Sequence, residues 1–158
     1  MMEIARMRNI VRWTAGLLLA AAAVTAHAAA LQEVLVYKSP TCGCCGSWVD
    51  HMKASGFKVK VVEENDVTPI KQRFGVPGHL ASCHTALVGG YVVEGHVPAS
   101  AVKRLLKERP TTVGVSVPGM PIGSPGMEGP NPEPFSTQLF DERGRARVYE
   151  SHRPPYRW

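Results

Sequence analysis

The stretch Glu33-Val-Leu-Val-Tyr-Lys-Ser-Pro-Thr-Cys-Gly-Cys-Cys-Gly46 decides how this chain folds. Its first half, Glu33 to Lys38, is rich in β-branched and aromatic residues and stops at Ser39-Pro40, which predicts a strand. Its second half predicts a helix that starts at the cysteines. Cys45, Val49 and Met52 recur at the spacing that puts side chains on one helical face, and Gly56 supplies a stop. The chain therefore runs from a strand straight into a helix, with Cys42 and Cys45 spaced as CxxC at the junction.

Downstream, Lys58 to Glu63 alternates around Val59, Val61 and Val62 as a second strand, and Asp66 to Phe74 predicts a helix with Asp66 as its N-cap and Gly75 at its end. Val76-Pro77-Gly78 turns the chain into Ser82-Cys83-His84. Thr85 to Val88 and Tyr91 to Glu94 then form a hairpin around Gly89-Gly90, a pair suited to the positive φ of a tight turn. Pro98 opens a further helix, whose apolar stripe is Val102, Leu105 and Leu106 and whose end lies near Arg109-Pro110. The order βαβαββα, with CxxC at the first strand–helix junction, predicts an α/β domain of thioredoxin-like fold over residues 29–110. Residues 111–158 read as a C-terminal extension expected to cover the site at that strand–helix junction. From Thr111 to Pro134 it is rich in Gly, Pro and Ser, which predicts a long loop without helix or strand, carrying Met120 and Met127. A terminal hairpin follows, Thr137 to Phe140 and Ala146 to Glu150.

The 158 residues fit one such domain and an export segment, and a content of 44% hydrophobic and 20% charged residues excludes wholesale disorder. Arg6, Arg8 and Arg12 precede the apolar run Trp13 to Val24, and Ala26-His27-Ala28 offers small residues for cleavage, so residues 1–28 read as a signal peptide. That apolar run falls short of the roughly 20 residues needed to span a bilayer. The mature protein is expected in the periplasm, without stable membrane insertion. Removing the signal takes three arginines and one glutamate from a chain of formal charge +5. The remainder is mildly basic and has no basic stripe with interleaved aromatics, so nucleic acid is not an expected partner.

All four cysteines lie in two places, Cys42, Cys44 and Cys45 before the first helix and Cys83 before the third strand. In a thioredoxin-like domain the loop before the hairpin faces the start of that helix, so Cys83 and His84 should meet the other three. A helix N-terminus carries roughly half a positive charge, which favours thiolate over thiol. Soft thiolate and thioether ligands select copper(I), and imidazole suits both copper states. The candidate ligands are Cys42, Cys44, Cys45, Cys83, His84, Met120 and Met127. Cys83 and His84 are neighbours and would point to opposite faces of a regular strand, so both can ligate only from an irregular loop.

The segments Ser39-Pro-Thr-Cys-Gly-Cys-Cys45, Gly75-Val-Pro77, Ser82-Cys-His-Thr-Ala86, Glu94-Gly-His-Val-Pro-Ala99 and Gly119-Met-Pro-Ile-Gly-Ser-Pro-Gly-Met127 resemble the thioredoxin-like metal-binding proteins of bacterial copper resistance, the CopG-type copper proteins. The similarity runs from about Leu31 to the end of the chain. It implies that the cysteines, His84 and the loop methionines carry a copper site, with thiolates bridging more than one ion. Thiolates stabilise the reduced ion and imidazole accepts the oxidised one, so a mixed site is expected to interconvert copper(I) and copper(II), with other periplasmic copper-handling proteins as partners. Bridging suits the adjacent Cys44 and Cys45, because one copper(I) takes only about two to four ligands.

Other readings stay open. Structural disulfides are natural in an exported protein, although CxxC closes almost no loop and so contributes little. A thiol–disulfide oxidoreductase would use Cys42 and Cys45, although the facing loop reads Cys83-His84-Thr85 with no proline at the junction. Zinc could take three cysteines and one histidine, leaving the fourth cysteine and the methionines unused. A copper chaperone would transfer the ion without redox chemistry. Met52 reads as core and Trp48 as a shield for the site. His96 reads as structural or capping, with the resemblance keeping ligation open, His79 as a neighbour of the site, and His51 and His152 as solvent-exposed.

Overall fold

In the computed structural model, which describes residues 32–158, ten regular elements follow one another. They are β1 (Glu33–Lys38), α1 (Gly43–Ala54), β2 (Lys58–Glu63), α2 (Thr68–Arg73), β3 (Thr85–Val88), β4 (Tyr91–Glu94), α3 (Ala99–Glu108), β5 (Gly114–Ser116), β6 (Phe135–Phe140) and β7 (Ala146–His152). The strands make one seven-stranded sheet in the order β2-β1-β3-β4-β5-β6-β7. Helix α1 crosses between parallel β1 and β2, and α3 between parallel β4 and β5; the other pairs are antiparallel. The expected signal peptide lies outside the described residues. Among those residues no helix is long and apolar enough to cross a membrane.

The two-residue periodicity of strands explains the packing. Val36, Ala86, Val93, Val115 and Leu139 are register partners in one row across five strands, and all are buried. Helices α1 and α3 cover that face with Trp48, Val49, Met52, Ala101, Val102 and Leu105. Each Val, Leu or Met side chain among them contributes about 1.5–3 kcal/mol on burial. On the other face Leu80, Val92 and Phe140 pack with Phe74, Val76 and Leu87 under α2. This second face is covered only in part, since α2 has no buried residue of its own, and α1 is fixed with its N-terminus beside the loop that enters β3.

The first seven elements follow the expected order, and four local readings need correction. Helix α2 begins at Thr68, not at Asp66, and its N-cap is Val67 and not Asp66; Asp66 lies one residue before it, with its Oδ1 accepting the Thr68 N–H at 2.8 Å. The stretch from Thr111 to Pro134 contains a strand, β5, wedged between β4 and β6. Its apolar residues Val113, Val115 and Val117 outweigh the surrounding glycine and proline, and Gly114 allows a backbone approach to Val92 that any Cβ would block. His51 is half-buried, with Nε2 accepting the Ala99 N–H at 3.0 Å, so it caps α3. His152 is buried in the terminal hairpin, which extends over Phe135–Phe140 and Ala146–His152. It is 2.9 Å from Thr137 Oγ1 and stacked on Phe135.

Candidate metal centre

Cys42 occupies the N-cap position of α1 in extended conformation, anchored by Cys42 N–H to Ser39 O at 3.1 Å. Cys45 lies one turn on, buried on the face that also carries Trp48, Val49 and Met52. Cys42 and Cys45 are joined as a disulfide, while Cys44 and Cys83 are free and partly buried. Cys44 Sγ is 3.5 Å from Cys42 Sγ. Cys83 arrives from the loop before β3, and the four sulfurs all lie within 4.8 Å of one another. The expected convergence of two distant stretches is present, with two of the four thiols oxidised to a disulfide.

Cys83 also belongs to a second group, with His84 and His96, whose donor atoms are likewise within 4.8 Å of one another. Its Sγ lies 3.2 Å from His84 Nδ1 and 3.0 Å from His96 Nε2. Strand β3 begins only at Thr85, so Cys83 and His84 do sit in irregular backbone and can serve one point. His96 Nδ1 is 2.8 Å from the Pro125 carbonyl, which can only accept; the proton is therefore on Nδ1 and the Nε2 lone pair faces Cys83. His84 Nε2 is buried without any hydrogen-bond partner. Such an orphan is costly in a protein interior, and the ring atom that faces Cys83 is the other nitrogen, Nδ1.

Of the two readings open for His96, the structure favours the donor one: it precedes α3 and lies in a group with Cys83 and His84. Its signal was present in the hairpin. The Gly89-Gly90 turn pairs Thr85 with Glu94, and continuing that register by two residues sets Cys83 opposite His96. Trp48 does shield the site, with its ring 4.5 Å from that of His84 and its indole N–H donating to Val97 O at 2.9 Å. His79 is exposed on the 3₁₀ turn Gly78–Leu80 and joins neither group.

The two methionines lie on the loop between β5 and β6, placed differently. Met120 is 52% exposed and follows Gly119, whose carbonyl accepts the Ser82 hydroxyl and whose N–H donates to Ala81 O at 3.1 Å. Met127 is partly buried and follows Gly126, which crosses the backbone of α1 at Cys44 and Trp48. The C-terminal tail clasps this loop: Trp158 Nε1–H donates to Gly123 O at 2.8 Å, and Trp158 stacks on Tyr156 at 5.2 Å.

Burial, with nearby Cys44 as the next cause, pushes the Cys83 thiol up to about 12. Cys83 is therefore protonated at neutral pH, and metal binding there would displace a proton. Burial first, then the neighbouring His96 and Lys71, holds His84 well below the usual imidazole range. Burial also lowers His96, against the opposing hydrogen bond to Pro125. Both rings are neutral, the form that ligates metals. The centre thus offers soft sulfur on one side of Cys83 and neutral imidazole on the other.

Residues 80–127 match a family described as a protein of unknown function, DUF411. The chain is 40% identical to a solved structure named copper resistance protein CopG, form 2, covering 78% of this chain and 99% of that one with a TM-score of 0.74. It is 41% identical to form 1 of the protein so named, covering 76% and 96% with a TM-score of 0.71. No curated protein matches it.

Proposed function

The chain belongs to the family of CopG copper resistance proteins, and from that we propose that it is a periplasmic protein that binds copper(I) at its cysteine cluster. The observation that carries this reading is the meeting of Cys83 with Cys42, Cys44 and Cys45, four sulfurs within 4.8 Å of one another. Sulfur donors suit copper(I), and the four sulfurs together with His84 and His96 exceed the about two to four ligands that one ion takes, which favours a thiolate-bridged cluster. His84 and His96 complete the donor set through Cys83, and Met120 and Met127 sit on the loop that covers it. Parallel β1 and β2, the β3–β4 hairpin and CxxC at the start of α1 support a thioredoxin-like assignment for residues 29–110. The signal-like composition of residues 1–28 supports the periplasmic location, where copper ions and other copper-handling proteins are the partners.

The Cys42–Cys45 disulfide also supports interconversion of copper(I) and copper(II). Closing the dithiol releases two electrons and two protons; the electrons reduce two copper(II) to two copper(I), and the protons pass to solvent. Imidazole accepts copper(II) on arrival, and thiolate favours the reduced product.

Anaerobic titration of the reduced protein with copper(I), in competition with a colorimetric chelator, tests the binding. Saturation above one equivalent per chain, strongly weakened by Cys83→Ser, is the expected result. Saturation at one equivalent would remove the cluster, and no uptake would remove the copper site. The disulfide alone favours a second reading, a thiol–disulfide oxidoreductase working through Cys42 and Cys45. That reading requires insulin reduction that persists in Cys83→Ser and in a Met120→Ala/Met127→Ala variant.

A further inference from the structure

We propose that Glu94 is a positioning residue of the metal centre, its buried carboxylate tying down both ends of the Cys83–His84 loop; this rests on the copper-binding reading above. The Glu94 side chain is 0% exposed and that of its partner Lys71 only 12%. Oε1 accepts the Ser82 N–H at 2.7 Å and the Lys71 ammonium at 2.6 Å. Oε2 accepts the Thr85 hydroxyl at 2.7 Å, and Lys71 also donates to Thr85 Oγ1 at 3.1 Å. One carboxylate therefore holds the residue before Cys83 and the residue after His84.

The loop needs such a hold because its two donors are sequence neighbours that regular strand geometry would send to opposite faces. Backbone contacts complete it. Gly95 N–H donates to His84 O at 3.0 Å, and Gly95 has φ +73° with the Ser82 side chain packed where a Cβ would stand. The same Glu94-Gly95-His96 segment thus grips Ser82, pairs with His84 and presents Nε2 to Cys83. Stability does not account for the charge pair by itself, since a buried ion pair is often matched or bettered by apolar residues of similar size. Its effect here is to fix where Cys83 and His84 point.

Three variants test this, each scored for unfolding midpoint, copper(I) affinity of the reduced protein, and iodoacetamide labelling of Cys83 in the metal-free disulfide form, mapped by peptide mass. Glu94→Gln removes the charge while its amide oxygen can still accept from Ser82 N–H and Lys71 and its amide N–H can donate to Thr85 Oγ1, reversing that one bond. It should stay within about threefold of wild type in both affinity and labelling, a margin well under the effect of losing a partner that orients a ligand. The apolar pair Glu94→Leu/Lys71→Met removes the hold without stranding a buried charge. It should lose about tenfold or more in copper(I) affinity and label Cys83 correspondingly faster. Thr85→Val cuts one tie and should fall between the two; it decides the matter should the apolar pair not fold. Wild-type labelling and affinity in the apolar pair, or unchanged labelling in Thr85→Val where the pair does not fold, overturns the inference. So does Glu94→Gln falling as far as the apolar pair, because charge and not positioning would then be the cause. Should wild type take up no copper, the copper reading fails, and the labelling of metal-free protein still decides the role of Glu94.

Discussion

Replacing Gly126 by alanine should unfasten the covering loop from the first helix. Gly126 has φ +83°, and a Cβ there would stand 2.7 Å from Trp48 N and 2.8 Å from Cys44 O. Both atoms are helix backbone in α1, where no rotamer change can give way. The left-handed conformation costs an alanine about 1–2 kcal/mol. Overpacking against fixed neighbours adds about 1–3 kcal/mol. The sum, about 2–5 kcal/mol, corresponds to a fall in Tm of roughly 6–20 °C for a domain of this size. If the loop lifts to escape the clash, the thermal loss falls toward the low end and Cys44 beneath it becomes open to alkylation. Circular dichroism melts and iodoacetamide labelling of the metal-free protein read the two effects. Gly129→Ala is the control, since its Cβ would meet only the Ile122 side chain at 3.3 Å. It should stay within about 0.5 kcal/mol of wild type. Gly126→Ala matching that control in both stability and Cys44 labelling would refute the close approach of loop and helix.

Trp48→Phe should cost about 1–3 kcal/mol in urea unfolding by leaving the buried Val97 carbonyl without its donor; an unchanged midpoint would show that the indole hydrogen bond contributes nothing. Burial lowers the pKa of His152, against the opposing charge of Glu150. The sign follows: its contribution to stability is complete above the unfolded value of about 6.5 and is lost as pH falls through that value toward the lower folded one. His152→Gln should therefore flatten the decline of Tm below about pH 6.5, measured as a difference from wild type because His51, His84 and His96 are also lowered; parallel profiles would rule the residue out as a source. With the disulfide left closed, copper(I) capacity in the chelator competition should fall below that of the reduced protein, and equal capacities would mean that Cys42 and Cys45 are not ligands.

The elements from β1 to α3 were legible because each carries one dominant local signal, such as the β-branched run of Val34 to Tyr37 or the stripe Val102, Leu105 and Leu106. Strand β5 was not, because three residues beside glycine and proline have no strand signal of their own. They become a strand by inserting between β4 and β6, a tertiary effect. At the site, CxxC and Cys83 were readable because cysteine is rare and its chemistry specific. His96 stayed undecided because its partner is thirteen residues away, and only the hairpin register joins them. His51 and His152 were misread for the same reason, since Ala99 and Thr137 come to them from other elements. The Glu94–Lys71 pair gave no warning, because a glutamate at the end of a strand is ordinarily solvated.

The position of Cys83 in both donor groups gives the redox state of the disulfide a direct hold on what the centre can keep. Opening the dithiol would add two thiols to Cys44 and Cys83 and make the set softer, as copper(I) prefers. When it is closed, Cys44 and Cys83 are the free thiols left beside two neutral imidazoles, a set less selective for copper(I). On the proposed reading, the electrons that make copper(I) come from the same sulfurs that would otherwise retain it. Oxidation of the pair therefore lowers the affinity of the centre for its own product, a bias toward handing copper(I) on. The loop carrying Cys83 stays in place through that change, because its ties run to Glu94, Gly95 and Gly119 and not to the cysteines that are oxidised.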